Sequence, residues 1–281
     1  MIWLNGTYHD TPDKLVDLDD RGLLLADGLF ETMLVRDGKA VFLQEHLARL
    51  QKGLRLFGFE VSLSQSELEE VVRTLSAPHD GQGAVRLTVT RGGGVRGIVP
   101  PVADVTPTVF MSCAPLPVAS DESISLVISK VRRNEGSPVS NIKSISYTDN
   151  ILARQEAMAQ GADEAIMLNN EGKVACASVA NVFVILPDKS LVTPPLSAGC
   201  LAGVTRQKVF CLAKNLGLEV FVAPVSVTML EESYVFLTNS LMGLRKAHLH
   251  GRGPAGHQTE ALFARLQQGY SDLVAQDISG T

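Results

Sequence analysis

Apolar residues recur along this chain with two periods, and the switches between them lay out its elements. Met1 to Leu4 reads as a short strand that turns at Asn5-Gly6, a dipeptide suited to tight hairpins. Phe30 to Val35 predicts a second strand, which turns at Asp37-Gly38 and returns as Ala40 to Leu43. Leu47, Leu50, Leu54 and Phe57 then fall on one helical face, and Gly58 stops the run. Ser64-Gln65-Ser66-Glu67 has the form of a capping box, with Leu63 and Leu68 spaced as its staple and Leu68, Val71, Val72 and Leu75 as the stripe that follows. Val85, Leu87 and Val89 alternate with Arg86, Thr88 and Thr90, the signature of a strand with one buried face, and a further apolar strand ends near Met111.

Ala114 to Ser120 holds two prolines and reads as a linker, giving a smaller domain over 1–113, a linker over 114–121 and a larger domain over 122–281. The second part is richer in strands. Ser123 to Ser129 alternates, and a helix is expected from Tyr147 to Gln160, stopped by Gly161. Ala165 to Leu168 and Lys173 to Ala177 form one hairpin pattern, Val182 to Leu186 and Ser190 to Thr193 another. A helix spans about Arg206 to Leu216, strands follow near Glu219 to Val222 and Tyr234 to Thr238, Gly251 to Gly256 is a loop, and a last helix carries Leu262, Phe263 and Leu266. Interleaved strands and helices with many hairpins indicate an α+β fold of two domains.

A composition of 45% apolar and 20% charged residues is that of a globular chain rather than a disordered one. The net charge of −5 argues against a general binder of nucleic acid or anionic membrane. The first residues reach polar positions and Pro12 too soon for a secretory h-region, and no apolar run suffices to span a bilayer. Cys113, Cys176, Cys200 and Cys211 are scattered, and neither they nor the histidines show metal spacing; His248 and His250 flank Leu249 as surface residues. A cytoplasmic protein with reduced thiols and no structural metal is expected.

Three stretches carry candidate chemistry, each with a plainer alternative. Gly92-Gly93-Gly94-Val95-Arg96-Gly97 matches a dinucleotide fingerprint in form, but Pro100-Pro101 follows where a helix would be needed. It reads instead as a loop that presents Arg91 and Arg96, able to clamp a carboxylate or simply solvated. Leu201-Ala202-Gly203-Val204-Thr205-Arg206 leads into a helix, where free N–H groups and the Thr205 hydroxyl could cradle a phosphate; an ordinary capping threonine is the alternative. Lys143 lies between Ile142 and Ile145, and apolar surroundings favour the neutral amine that condenses with an aldehyde, although a snorkelling surface lysine fits the same pattern.

The segment Ser140 to Ala157, with Asn141-Ile142-Lys143-Ser144-Ile145-Ser146-Tyr147 at its head, resembles the cofactor-lysine segment of the class IV aminotransferases, the fold-type IV enzymes of pyridoxal 5'-phosphate (PLP). Four further stretches resemble that family in the same order: Asp20-Arg21-Gly22-Leu23 through Glu31, His46-Leu47-Ala48-Arg49-Leu50, Gly203-Val204-Thr205-Arg206, and Phe236 through Gly243. The resemblance implies PLP as cofactor, an imine on Lys143, and Lys143 as general acid and base. It implies Arg49, Val204, Thr205 and Ser240 at the phosphate, Phe30 and Tyr147 beside an amino-acid-like substrate, and a homodimer in which the Arg91–Arg96 loop reaches the partner's site.

One position departs from the family pattern. Where a glutamate is expected to hold the cofactor's ring nitrogen protonated, this chain has Cys176, and Glu171 stands five residues earlier in a turn. A neutral thiol weakens the electron sink, which handicaps full transamination more than an elimination that expels its leaving group. Together with Arg91 to Gly97 and Thr238-Asn239-Ser240-Leu241, this favours a lyase resembling aminodeoxychorismate lyase, which yields 4-aminobenzoate and pyruvate. A D-amino-acid or branched-chain transaminase is the alternative, and a PLP-binding protein without catalysis a third reading that rests on Cys176 alone.

Overall fold

A computed structural model of the protein describes residues 1–11, 15–94, 97–100, 105–116, 122–253 and 259–280. The expected linker and the Gly251–Gly256 loop fall partly outside these residues. The chain clusters into two compact units: Met1–Pro117 with Ile142–Ser146 and Gln276–Thr281, and Val118–Asn141 with Tyr147–Ala275.

The first unit is built on a six-stranded sheet in the order β2-β1-β6-β5-β3-β4. Its strands are β1 (Ile2–Leu4), β2 (Thr7–His9), β3 (Gly28–Arg36), β4 (Lys39–Ala40), β5 (Gly83–Thr90) and β6 (Thr108–Ala114), and every pairing is antiparallel. Period two sorts the side chains. Leu29, Met33 and Val35 of β3 join Val85, Leu87 and Val89 of β5 in the core. Helices α2 (Leu43–Phe57) and α3 (Gln65–Ser76) supply Leu47, Leu50, Leu54, Leu68, Val71, Val72 and Leu75 to the same core, the stripes their spacing predicts. Ser64 caps α3 by accepting from the Glu67 N–H, and Gly58 ends α2 in the left-handed region. The strand expected over Ala40 to Leu43 stops at Ala40, because Phe42 turns left-handed (φ 56°) and Leu43 opens α2. A short helix that periodicity did not reveal, α1 (Arg21–Leu25), is capped by the Asp20 carboxylate.

The second unit carries an eight-stranded mixed sheet, β12-β11-β10-β13-β14-β7-β8-β9. Its strands are β7 (Ile124–Arg133), β8 (Glu164–Asn169), β9 (Val174–Ala177), β10 (Asn181–Ile185), β11 (Leu191–Thr193), β12 (Val220–Val222), β13 (Tyr234–Asn239) and β14 (Gly243–Leu249). The last was not anticipated; it pairs in parallel with β7 and places His248 against the Ser123 hydroxyl at 2.8 Å. Strand β8 is buried on both faces: Ile166 and Leu168 enter one core cluster, Ala165 and Met167 another. Helices α4 (Thr148–Ala159), α5 (Val204–Asn215) and α6 (Val227–Glu232) belong to this unit, as do residues 260–275 of α7 (Glu260–Ser279), whose last turn groups with the first unit. No helix among the described residues is long and apolar enough to cross a membrane.

Candidate active site

Lys143 belongs to the first unit, in a segment joined to β3 by one bridge. The Phe30 N–H donates to the Lys143 carbonyl at 2.9 Å, and the Ile145 N–H donates to the Gly28 carbonyl at 3.1 Å. These two bonds enclose an antiparallel bridge between Leu29 and Ser144. Gly28 is required there, because a Cβ would come within 2.6 Å of the Val89 carbonyl oxygen. The Lys143 Nζ lies 4.1 Å from the centroid of the buried Phe30 ring, which also carries the guanidinium of Arg86 at 3.6 Å. The two cations are therefore at most about 8 Å apart. Arg86 is exposed and fixed in part by its Nε, which donates to the Thr88 hydroxyl. Sequence reasoning placed Arg86 on the outer face of β5 and went no further; its cross-strand neighbour Thr32, two residues from Phe30, was the signal available.

Arg49 is held from below. Its Nε and Nη2 donate to the two oxygens of Glu31 at 2.8 and 2.6 Å, and His46 Nδ1 bonds the same carboxylate at 2.7 Å. Glu31 and His46 are fully buried. Burial alone would push the Glu31 carboxyl up, but the charge and hydrogen bonds of Arg49, with those of His46, outweigh it and hold the group down at about 2. Glu31 points to the core side of β3, opposite Phe30, so the sheet's pleat presents an anion to α2 and an aromatic ring to Lys143.

Arg91 has a different task from the expected carboxylate clamp. It is buried, with Nε and Nη2 on Asp27 at 2.7 and 3.2 Å and Nη2 also on the Phe57 carbonyl at 2.6 Å. Arg21 grips the same Asp27 at 2.8 Å and donates to the carbonyls of Gly97 and Ile98. Asp27 is pushed up by burial and held below the usual carboxylate range by the two arginines. Arg91 is thus an internal strut of the Asp20–Glu31 motif. Arg96 lies outside the described residues.

In the second unit, Gly203 is the N-cap of α5 and has no side chain to cap it, at the end where a helix leaves N–H groups to be satisfied from outside. A Cβ on Gly203 would come within 2.1 Å of Asn181 Oδ1, and Asn181 Nδ2 donates to the Leu201 carbonyl at 2.8 Å, so β10 shapes this turn. The Thr205 hydroxyl is buried, 3.4 Å from the Tyr270 hydroxyl. Ser240 follows the end of β13, where Thr238 Oγ1 is buried without a hydrogen-bond partner. Tyr147 caps the start of α4 through its carbonyl, which accepts from Ile151. Backbone donors at a helix start, two hydroxyls and one orphaned hydroxyl suit a phosphate.

Cys176 sits on β9, opposite Met167, 7% exposed. Burial pushes its thiol up to about 12, against a weaker pull from Arg133, while Cys200 and Glu164 push in the same direction as burial. Glu164, the buried carboxylate of this region, is engaged by Arg154 at 2.6 Å and by the backbone N–H and hydroxyl of Ser178. Glu171 is exposed in its turn. Among the described residues no cluster could hold a metal ion.

The first unit thus carries an antiparallel sheet with the lysine segment bridged to it, and the second a mixed sheet with a phosphate-suited turn. A profile of the family described as "Amino-transferase class IV" matches residues 28–249. The chain belongs to this family and is a PLP-dependent enzyme. It is 30% identical over 277 residues to a provisionally named branched-chain-amino-acid aminotransferase of Methanocaldococcus jannaschii, covering 97% of this chain and 96% of the relative. It is also 30% identical over 250 residues to an aminodeoxychorismate lyase of Bacillus subtilis, covering 86% and 84%. Among solved structures, a hypothetical aminotransferase from Mycobacterium tuberculosis in its PLP-bound form superposes with a TM-score of 0.82 at 25% identity, over 97% of this chain and 99% of that one.

Proposed function

We propose that this chain is an aminodeoxychorismate lyase, releasing 4-aminobenzoate and pyruvate. The observation that carries the reading is Cys176: a buried thiol stays neutral through the physiological range and cannot hold a ring nitrogen positive as a carboxylate does. When bound, the cofactor supplies an electron sink for the substrate carbon that bears the amino group. In this reading Lys143 links to the cofactor and takes the proton from that carbon. Arg49, pre-aimed by Glu31, the N–H groups of Val204 and Thr205, the Thr205 hydroxyl and Ser240 hold the phosphate. Phe30 and Tyr147 flank the substrate, and Arg86, beside Phe30, takes over from Arg91 as the cation for a substrate carboxylate.

The reading extends to assembly and location. Leu23, Leu24 and Leu25 of α1 are exposed, as are Ile98 and Val99, whose segment Arg21 holds through carbonyl bonds. An apolar surface of this kind supports a homodimer. Four free thiols fit the reducing cytoplasm.

The second reading, an amino-acid transaminase, is favoured by the near full-length match to the Methanocaldococcus protein. Products separate the two. Given aminodeoxychorismate, the lyase forms pyruvate and 4-aminobenzoate in equal amounts, and it releases no oxo acid from D-alanine or L-leucine above the level of Lys143→Ala. Oxo acid from either donor with no pyruvate from aminodeoxychorismate would establish the transaminase, and neither product would leave a PLP-binding protein. Borohydride reduction of the holoenzyme should fix the cofactor on the Lys143 peptide; a label on another lysine overturns all three.

A further inference from the structure

The arm that presents Arg49 is fastened by the far end of the chain. Helix α2 begins at Phe42, an aromatic residue in the left-handed region (φ 56°, ψ 40°) with no side-chain cap of its own. Such a conformation persists where the surroundings over-determine it. The Phe42 N–H donates to Asp277 Oδ2 at 2.7 Å, across 235 residues of sequence, and Lys39 Nζ donates to the Ile278 carbonyl at 2.5 Å. The Asp277 carboxylate therefore does from a distance what the carboxylate of a capping box does locally, satisfying the N–H of the N-cap residue, and it lies where the α2 dipole favours negative charge. The next turn carries the effect inward. The Phe42 carbonyl accepts from the His46 N–H at 3.1 Å, and His46 and Arg49 share Glu31. Lys39, Phe42, His46, Arg49, Glu31 and Asp277 all belong to the first unit.

We propose that Asp277 is a positioning residue for Arg49: the last turn of α7 latches the start of α2 and so sets the affinity for the cofactor's phosphate. This rests on the reading of Arg49 as a phosphate ligand. A purely structural latch would change stability and leave the preference for phosphate untouched.

The test compares apparent Kd values of the apoenzyme for PLP and for pyridoxal, which lacks the phosphate, by absorbance titration. Asp277→Ala should weaken PLP roughly five- to tenfold, the effect of losing a helix cap, and leave pyridoxal unchanged. Asp277→Asn, which keeps an acceptor oxygen, should stay within about twofold of the wild type. Hydrogen exchange of the His46 amide should quicken in the alanine variant alone. Equal weakening of both ligands, or of neither, while Arg49→Ala weakens PLP selectively, overturns the latch and spares the phosphate reading. If Arg49→Ala shows no selectivity for PLP, the phosphate reading of Arg49 falls and the latch with it.

Discussion

The two units handle buried positive charge in opposite ways. In the first, the buried or half-buried arginines rest on carboxylates: half-buried Arg49 on Glu31, and buried Arg21 and Arg91 together on Asp27. In the second, Arg206 is buried on α5 against the Thr193 hydroxyl at 3.4 Å, the Pro194 carbonyl at 3.0 Å and the Phe210 ring, its guanidinium 4.7 Å from the centroid. Arg133, half-buried, donates to the carbonyl oxygens of Gly199, Ser140 and the Asn150 side chain. Both act on the Cys200 thiol, pulling it down against the larger upward push of burial. Carbonyl dipoles satisfy a guanidinium's hydrogen bonds without cancelling its charge. The first unit thus holds its arginines on carboxylates, and the second keeps positive charge with no carboxylate partner among the described residues, on the unit that carries the phosphate-suited turn.

The sharpest way to break this contrast is Glu31→Gln. It leaves the Arg49 and His46 side chains without their anion in a dry site, and removing one partner of a buried pair costs about 3 to 5 kcal/mol. Urea unfolding of the apoprotein reads the loss directly. A change below about 1 kcal/mol, the scale of an exposed pair, would mean that the carboxylate does not hold the arm.

Much of this was legible in the sequence, and the gaps have physical causes. Periodicity laid out α2 and α3 because each has one wet and one dry face, and β5 because polar residues alternate with its core side chains, although Thr88 and Thr90 are buried too. It missed α1, where Leu23, Leu24 and Leu25 face outward and the helix is held by the Asp20 cap and by Arg21. The motif around Lys143 stood out, but its bridge to β3 is a pairing across more than a hundred residues that no local pattern encodes. Arg91 and Arg86 carry the same charge five residues apart. Only the partners, Asp27 for one and the Phe30 ring for the other, separate a strut from a group poised at the candidate site.

A smaller effect follows from the Glu31 charge. Its carboxyl is held at about 2 in the folded chain against 4.5 as the ordinary value. A depressed carboxylate contributes stability that is fully present above pH 4.5 and is lost as pH falls towards about 2, on the order of 3 kcal/mol over the whole interval. Wild-type stability should therefore fall more steeply than that of Glu31→Gln below pH 4.5, and the two curves should converge. Parallel curves through that window would remove the ionised Glu31 from the account.

The smallest expected effect is the most discriminating, because the contrast predicts nearly none. Arg206→Met removes a buried cation that no carboxylate among the described residues balances and replaces it with an apolar side chain of similar length. Relief of the charge's desolvation then offsets the loss of two modest hydrogen bonds and of the Phe210 ring contact, so apoprotein stability should stay within about 1 kcal/mol of the wild type. The charge matters only when an anion arrives. The rise in Tm on adding saturating PLP should shrink in Arg206→Met, while the rise with pyridoxal should not change. A variant apoprotein as crippled as Glu31→Gln would show that Arg206 is as much a structural brace as Arg49, and the two units would no longer differ in kind.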